Sequence, residues 1–188
     1  EKGNPAPNFW QNFGESIAEL HKNTQENFGL PFQNYIGRLH QPNNAHAKWC
    51  DFYKEERLIF LLEKARNRKL LSAEEINLAE KLCEKIHQLI PEEKPALLHG
   101  DLWKGNFIVQ ENGTAAVFDP ATYYGHREMD IAMAQLFGGF DSQFFEVYNA
   151  CLPLQPGWMD RTEIFQLYPL MAHLILFGGP YHAQVVSI

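Results

Sequence analysis

His99, Asp101 and Asn106 stand at the spacing H-x-D-x-x-x-x-N in Leu97-Leu98-His99-Gly100-Asp101-Leu102-Trp103-Lys104-Gly105-Asn106, and a second acid follows in Asp119-Pro120-Ala121. Phosphoryl transfer from ATP needs this set of groups. One carboxylate orients an attacking hydroxyl, while an amide oxygen and a second carboxylate hold Mg²⁺ on the phosphates. A free aspartate has a pKa of about 3.9 and is a weak base at neutral pH. Asp101 is therefore expected to aim the hydroxyl in line and to accept its proton late. Asn106 offers a neutral oxygen, which suits a hard cation already surrounded by phosphate oxygens. His99 reads as a structural hydrogen-bonding residue of the loop. Trp103 is either plain core or an aromatic wall beside a substrate.

These side chains need elements that deliver them to one place. Ala96-Leu97-Leu98 is an apolar run able to enter the core as a strand. Asn112-Gly113 between Phe107-Ile108-Val109 and Ala115-Ala116-Val117-Phe118 is a strong hairpin signal, and a hairpin returns Asp119 to Asn106. Upstream, residues 1–7 are Gly/Pro-rich and non-helical, and Asn8 reads as the N-cap of a helix carrying Phe9, Phe13, Ile17 and Leu20 to about Thr24. Residues 25–48 read as loop, in which His40 and His46 have no metal-ligand partner at suitable spacing. A helix is expected over Trp49–Asn67, with Glu55, Glu56, Arg57, Glu63, Lys64 and Arg66 as its solvated face. Ser72-Ala73-Glu74-Glu75 is a capping box for a helix that stops before Pro91 and carries Cys83 on its apolar side. Thr122–His126 reads as a short loop. Further helices follow over Glu128–Phe137, after Asp141 as a cap, and from Asp160 to the stop at Gly178-Gly179-Pro180. The expected architecture is one mainly α-helical domain with a small β-hairpin at a cleft.

Composition narrows the partners. The 188 residues can bury a substantial core, and 45% hydrophobic with 21% charged residues is ordinary for a globular protein. A formal net charge of −7 argues against a nucleic-acid-binding surface. No apolar run approaches a membrane span and no signal-peptide core is present. Cys50, Cys83 and Cys151 are odd in number and widely spaced, which indicates neither a disulfide framework nor a structural zinc site and fits reduced, cytoplasmic thiols.

His99-Gly100-Asp101-Leu102-Trp103-Lys104-Gly105-Asn106, Phe118-Asp119-Pro120-Ala121 and Tyr124-Gly125-His126-Arg127-Glu128 closely resemble the fructosamine (ketosamine) 3-kinase family. Phe137-Gly138-Gly139-Phe140 and Ala18-Glu19-Leu20-His21 resemble it too. The family is a branch of the aminoglycoside-phosphotransferase, choline-kinase and protein-kinase-like group, and the likeness covers nearly the whole chain. Lys104 departs from the small Ser usual there, at the pocket rim.

The resemblance implies a C-terminal lobe of a protein-kinase-like fold over 1–188, with a catalytic loop at 99–106 and a metal-binding loop at 119–121. It implies ATP-dependent phosphorylation of the sugar 3-hydroxyl of ketosamines on glycated amines or proteins, supporting deglycation. Asp101 would be the base, Trp103 a substrate contact, and Asn106 and Asp119 the ligands of Mg²⁺ and its nucleotide. Asp130 would brace the catalytic loop. The opening of the chain corresponds to the region just after the hinge between lobes, and no glycine-rich loop or strand lysine stands before it. The expectation is that the N-terminal nucleotide lobe is absent, that Mg-ATP binds weakly to these residues alone, and that uncovered surface favours self-association. An aminoglycoside- or choline-type phosphotransferase and a one-lobe scaffold are the alternative readings. Trp103 and Asp119-Pro120-Ala121 favour the ketosamine branch. With no disulfide framework, a reducing agent should leave the melting temperature unchanged; a large drop in a thermal scan would overturn the free-thiol reading.

Overall fold

Helical periodicity accounts for about half of the chain. The computed structural model describes residues 3–188; Glu1 and Lys2 of the non-helical opening lie outside the described residues. The helices are α1 (Phe9–His21), α2 (Trp49–Phe52), α3 (Phe60–Asn67), α4 (Ala73–Leu89), α5 (Glu128–Leu136), α6 (Ser142–Cys151), α7 (Thr162–Phe177) and α8 (His182–Val186). The strands are β1 (Asn34–Ile36), β2 (Leu39–Gln41), β3 (Ala96–Leu98), β4 (Phe107–Val109), β5 (Ala115–Val117) and β6 (Tyr123–Gly125). Phe9, Phe13 and Ile17 recur along one face of α1 and are buried. Phe13 meets Phe144 of α6 edge-on at 5.3 Å. Gly14 lets the two backbones close, because a Cβ there would lie 2.7 Å from the Phe144 carbonyl oxygen. The Ser72–Glu75 capping box starts α4 as expected, and Asp141 caps α6 by accepting the Gln143 N–H at 3.0 Å.

Two apolar clusters share α5 as their partition. Phe9, Phe13, Ile17, Leu102, Phe144 and Tyr148 pack with Ile131 and Ala134 on one side. Trp49, Phe52, Tyr53 and Phe165 belong to the larger cluster on the other, with Met129 and Ala132. A helix packed on both sides has no solvated face, and α5 is buried from Glu128 to Ala134, the acids Glu128 and Asp130 included. Leu102 is wholly buried, so the 99–106 loop itself is bolted to the first cluster, at about 1.5–3 kcal/mol for a fully buried leucine. No helix among the described residues is long and apolar enough to cross a membrane. Cys50, Cys83 and Cys151 are free thiols; burial pushes Cys83 up to about 11, consistent with inert core.

Three expectations need correction. The single hairpin is one of three two-stranded sheets among the described residues: β1–β2, β3–β6 and β4–β5. Residues 25–48 therefore contain a hairpin, and Thr122–His126 supplies β6, antiparallel to β3 with Leu97 opposite Tyr124. The Trp49–Asn67 helix passes through a π-helical segment, Tyr53–Ile59, which turns Glu56 and Arg57 inward instead of to solvent. Arg57 is fully buried and lies over the rings of Tyr123 at 4.0 Å and Phe52 at 4.5 Å. Its acceptors are neutral: the Pro42 carbonyl at 2.5 Å, Asn43 Oδ1 at 2.9 Å and the Glu56 carbonyl at 3.1 Å. Glu56 accepts from the Asn44 side chain at 3.1 Å and from His46 Nε2 at 3.0 Å. Both residues hold the 42–46 loop against the body.

At the corner between β6 and α5, His126 is buried between Trp49 and Phe165, with ring centroids 5.9 and 5.0 Å away. Its Nδ1 accepts the Glu128 N–H at 3.3 Å. Burial pushes the imidazole from an ordinary 6.5 down to about 4. The unfolded chain therefore takes up a proton first as pH falls, so the neutral histidine stabilises fully above about 6.5 and its contribution is lost toward 4, up to about 3 kcal/mol. His126→Asn, whose Oδ1 can stand where Nδ1 stands, should remove that part of the acid sensitivity. Urea midpoints measured from pH 7 to pH 4.5 should converge for the two proteins; parallel curves would contradict the assignment.

Candidate active site

β3 leads directly into the 99–106 loop, and β4–β5 carries its far end back. Gly100 takes a left-handed φ of +81° where a Cβ would meet the Ala121 carbonyl oxygen at 2.1 Å, so only glycine permits the two loops to touch. The Ala121 N–H donates to the His99 carbonyl at 2.9 Å, and the Phe118 N–H donates to the Asn106 carbonyl at 3.0 Å. Gly113 turns the hairpin at φ +79°. The hairpin thus returns the chain to Asn106, as its Asn-Gly signal predicts.

Asp101 Oδ2 accepts from Asn106 Nδ2 at 2.8 Å, whereas the buried Oδ1 takes no hydrogen bond from the protein. Asn106 is buried, and its Nδ2 also reaches the Asp101 carbonyl at 3.0 Å, which leaves its Oδ1 as the atom free to turn toward a cation. Burial pushes the Asp101 carboxyl up to about 6, with the charges of Asp130 and Asp119 adding to the rise and the Asn106 bond and His99 opposing it. The free-aspartate value expected for this residue is therefore corrected: its surroundings bring it much closer to the pH at which a base is useful.

Asp119 is exposed and held at φ +56°, an uncommon conformation for a residue with a side chain. Trp103 is half-buried, its indole folded over Gly105 and edge-on to Phe137 at 5.7 Å. A Cβ on Gly105 would lie 2.3 Å from that ring. Lys104 is exposed and its stem rests over Gly139. His99 is the structural residue expected: Nδ1 accepts the Asp101 N–H at 3.3 Å, which leaves Nε2 to donate to the Phe118 carbonyl at 3.1 Å.

Asp130 does brace the loop. Its buried carboxylate accepts the His99 N–H at 2.7 Å and the Gly100 N–H at 2.9 Å, and His21 Nε2 donates to it at 3.1 Å. Burial alone would push the acid up; these bonds and the neighbouring histidines overcome it and hold the carboxyl below its ordinary value. His21 Nδ1 is then the acceptor for the Tyr148 hydroxyl at 2.7 Å. Sequence reasoning assigned no role to His21 or Tyr148. They lie 109 and 18 residues from Asp130 along the chain, and no spacing rule joins them.

A mainly helical body that presents an Asp–Asn loop and a hairpin-returned aspartate defines the kinase-like class of phosphotransferase folds. The chain belongs to the fructosamine kinase family, whose family model matches residues 2–188. It is 40% identical over 173 residues to a Vibrio parahaemolyticus protein named probable ketoamine kinase, covering 92% of this chain and 59% of that one. A namesake from Enterococcus faecium is 41% identical over 172 residues, covering 90% and 62% respectively. A crystal structure from Thermobifida fusca, named for fructosamine-3-kinase, superposes with a TM-score of 0.94 at 37% identity, covering all of this chain and 65% of its own. The chain thus spans about three-fifths of the length of the curated relatives it matches.

Removing the carboxylate from the brace should be expensive. Asp130→Asn should lower the unfolding free energy by about 3 kcal/mol, since it leaves buried donors facing an amide. Tyr148→Phe removes a neutral bond and should cost about 1 kcal/mol. Equal, small losses in urea unfolding would show that the carboxylate is not the centre of this arrangement.

Proposed function

We propose that this chain is the C-terminal, catalytic-loop-bearing lobe of an ATP-dependent ketosamine 3-kinase, which phosphorylates the sugar 3-hydroxyl of glycated amines and so promotes deglycation. The observation that carries the reading is the division of labour on Asp101: Oδ2 is tied to Asn106, and Oδ1 is buried with no protein donor. An acceptor hydroxyl donating to Oδ1 satisfies that atom, and Asp101 then holds the nucleophilic oxygen in line and takes its proton as the bond to phosphorus forms.

The remaining groups support the same chemistry. Asn106 Oδ1 and the exposed Asp119 carboxylate form an all-oxygen donor pair suited to Mg²⁺. When bound, the ion neutralises charge on the phosphate oxygens. Asp119, Asn106 and the exposed apolar residues Ile108 and Phe118 of the adjoining hairpin give the nucleotide one side of its site. Trp103, edge-on to Phe137, lies beside the 99–106 loop, and the C–H face of a sugar packs well on an aromatic wall. Asp130 and His21 act behind the loop and touch no reacting atom.

In the full-length enzyme, Asp101→Asn should lower turnover by about 10²–10⁴ while nucleotide affinity stays near normal. Asp119→Ala should chiefly abolish Mg-ATP engagement. Acceptor-dependent ADP release over a panel of fructosamines, aminoglycosides and choline checks both the base and the acceptor class. Near-normal turnover in Asp101→Asn would refute the base assignment, and preference for choline or an aminoglycoside would refute the ketosamine assignment.

A further inference from the structure

Asp119 is exposed, left-handed, and followed by Pro120, which has no N–H to anchor it. A side chain in that conformation persists only where its surroundings hold the backbone on both sides. Before it, the Phe118 N–H is fixed on Asn106, and after it the Ala121 N–H is fixed on His99. The carbonyl side of the loop is held from elsewhere. Gln41 Nε2 donates to the Ala121 carbonyl at 3.0 Å, and Asn34 Nδ2 donates to the Thr122 carbonyl at 2.7 Å. Both donors come from the β1–β2 hairpin, 80 and 88 residues away in sequence.

Gln41 is built into a network that permits one orientation of its amide. It is 1% exposed. Its Oε1 accepts the Tyr168 hydroxyl at 2.6 Å, and its Nε2 is shared between the Ala121 carbonyl and Asn34 Oδ1 at 2.9 Å. Asn34 Oδ1 also accepts from Asn43 Nδ2 at 2.8 Å, and Asn43 is in turn gripped by the buried Arg57. The chain of bonds runs from a buried cation through neutral amides to the backbone two and three residues after Asp119. A network needed only to close the hairpin could end on the hairpin. This one ends on the Ala121 and Thr122 carbonyls, just beyond Asp119-Pro120.

We infer that Gln41 is a positioning residue for the cation site: from the β1–β2 hairpin it fixes the Asp119 loop through the Ala121 carbonyl and so sets affinity for the divalent ion. The inference rests on the reading of Asn106 and Asp119 as metal ligands. Supporting groups of this kind are worth about 10–100-fold in metal affinity. Gln41→Met keeps the volume and loses both donors and the acceptor. Tyr168→Phe keeps Gln41 and loses only the hydroxyl that orients it.

Mn²⁺ titration, followed by paramagnetic broadening of backbone amide resonances, separates the possibilities without relying on turnover. In the native chain, Asn106 and Phe118, Asp119 and Ala121 around the cation site should broaden together. In Gln41→Met the same broadening should need about tenfold more Mn²⁺, with spectral dispersion otherwise unchanged. In Tyr168→Phe the shift should be smaller and in the same direction. Unchanged titrations in both variants, with the native protein binding, would overturn the role of Gln41 alone. No broadening of these amides in the native protein would overturn the metal-ligand reading, and this inference with it. Should Gln41→Met lose its dispersion, Tyr168→Phe decides: a titration like the native one refutes the inference.

Discussion

The fold of the site depends on one buried anion. Asp130 sits on α5, the helix that separates the two apolar clusters, and its carboxylate gathers the His99 and Gly100 amides and the His21 ring at a single point. Hydrogen bonds to a charged acceptor are worth about 1.5–3 kcal/mol each, more than neutral ones. They also have direction, which apolar packing lacks. Leu102 sets the depth of the 99–106 loop in the core, but the amides on Asp130 set its orientation, and so decide where Asp101 points. The same anion lies close enough to raise the Asp101 carboxyl. One residue thus contributes both to the position of the candidate base and to its proton affinity.

The two halves of the site are supported by different physics. The Asp101 side rests on a charged carboxylate with histidines around it. The Asp119 side rests on neutral amides and a tyrosine hydroxyl, whose bonds do not change with protonation and are little screened by salt. The buried Arg57 behind the neutral network is always charged and is stabilised by ring faces and carbonyls, not by an acid. Ionic conditions should therefore act on the two loops unequally, even though their backbones are bonded to each other.

The local parts of the site were legible in the sequence. Asp101 to Asn106 is a fixed short spacing, and Asn112-Gly113 between apolar runs determines a hairpin whatever surrounds it, so the convergence on Asp119 could be read directly. The capping box of α4 and the cap of α6 are similarly short-range. What escaped reading was long-range. Three-residue strands carry no periodicity, so β1–β2 and β6 became strands only because their partners were in place. Glu56 and Arg57 looked like solvated charges because a regular helix would have turned them outward; the π-helical segment and the aromatic faces of Tyr123 and Phe52 reversed that. The raised carboxyl of Asp101 follows from burial, which its neighbours in sequence do not reveal. Asp130 as a brace was suggested by likeness to related kinases, while its partners His21 and Tyr148 required the packing of α1 on α6.

The indole of Trp103 and the bare backbone of Gly105 occupy one another's space. Any side chain at 105 must push the ring out of its place, and a smaller residue at 103 leaves a gap over Gly105. Neither position can be altered first without passing through a worse-fitting intermediate, so the two are expected to be inherited as a unit. A change at either place would therefore be a paired event, whatever the chemical demand on the indole itself.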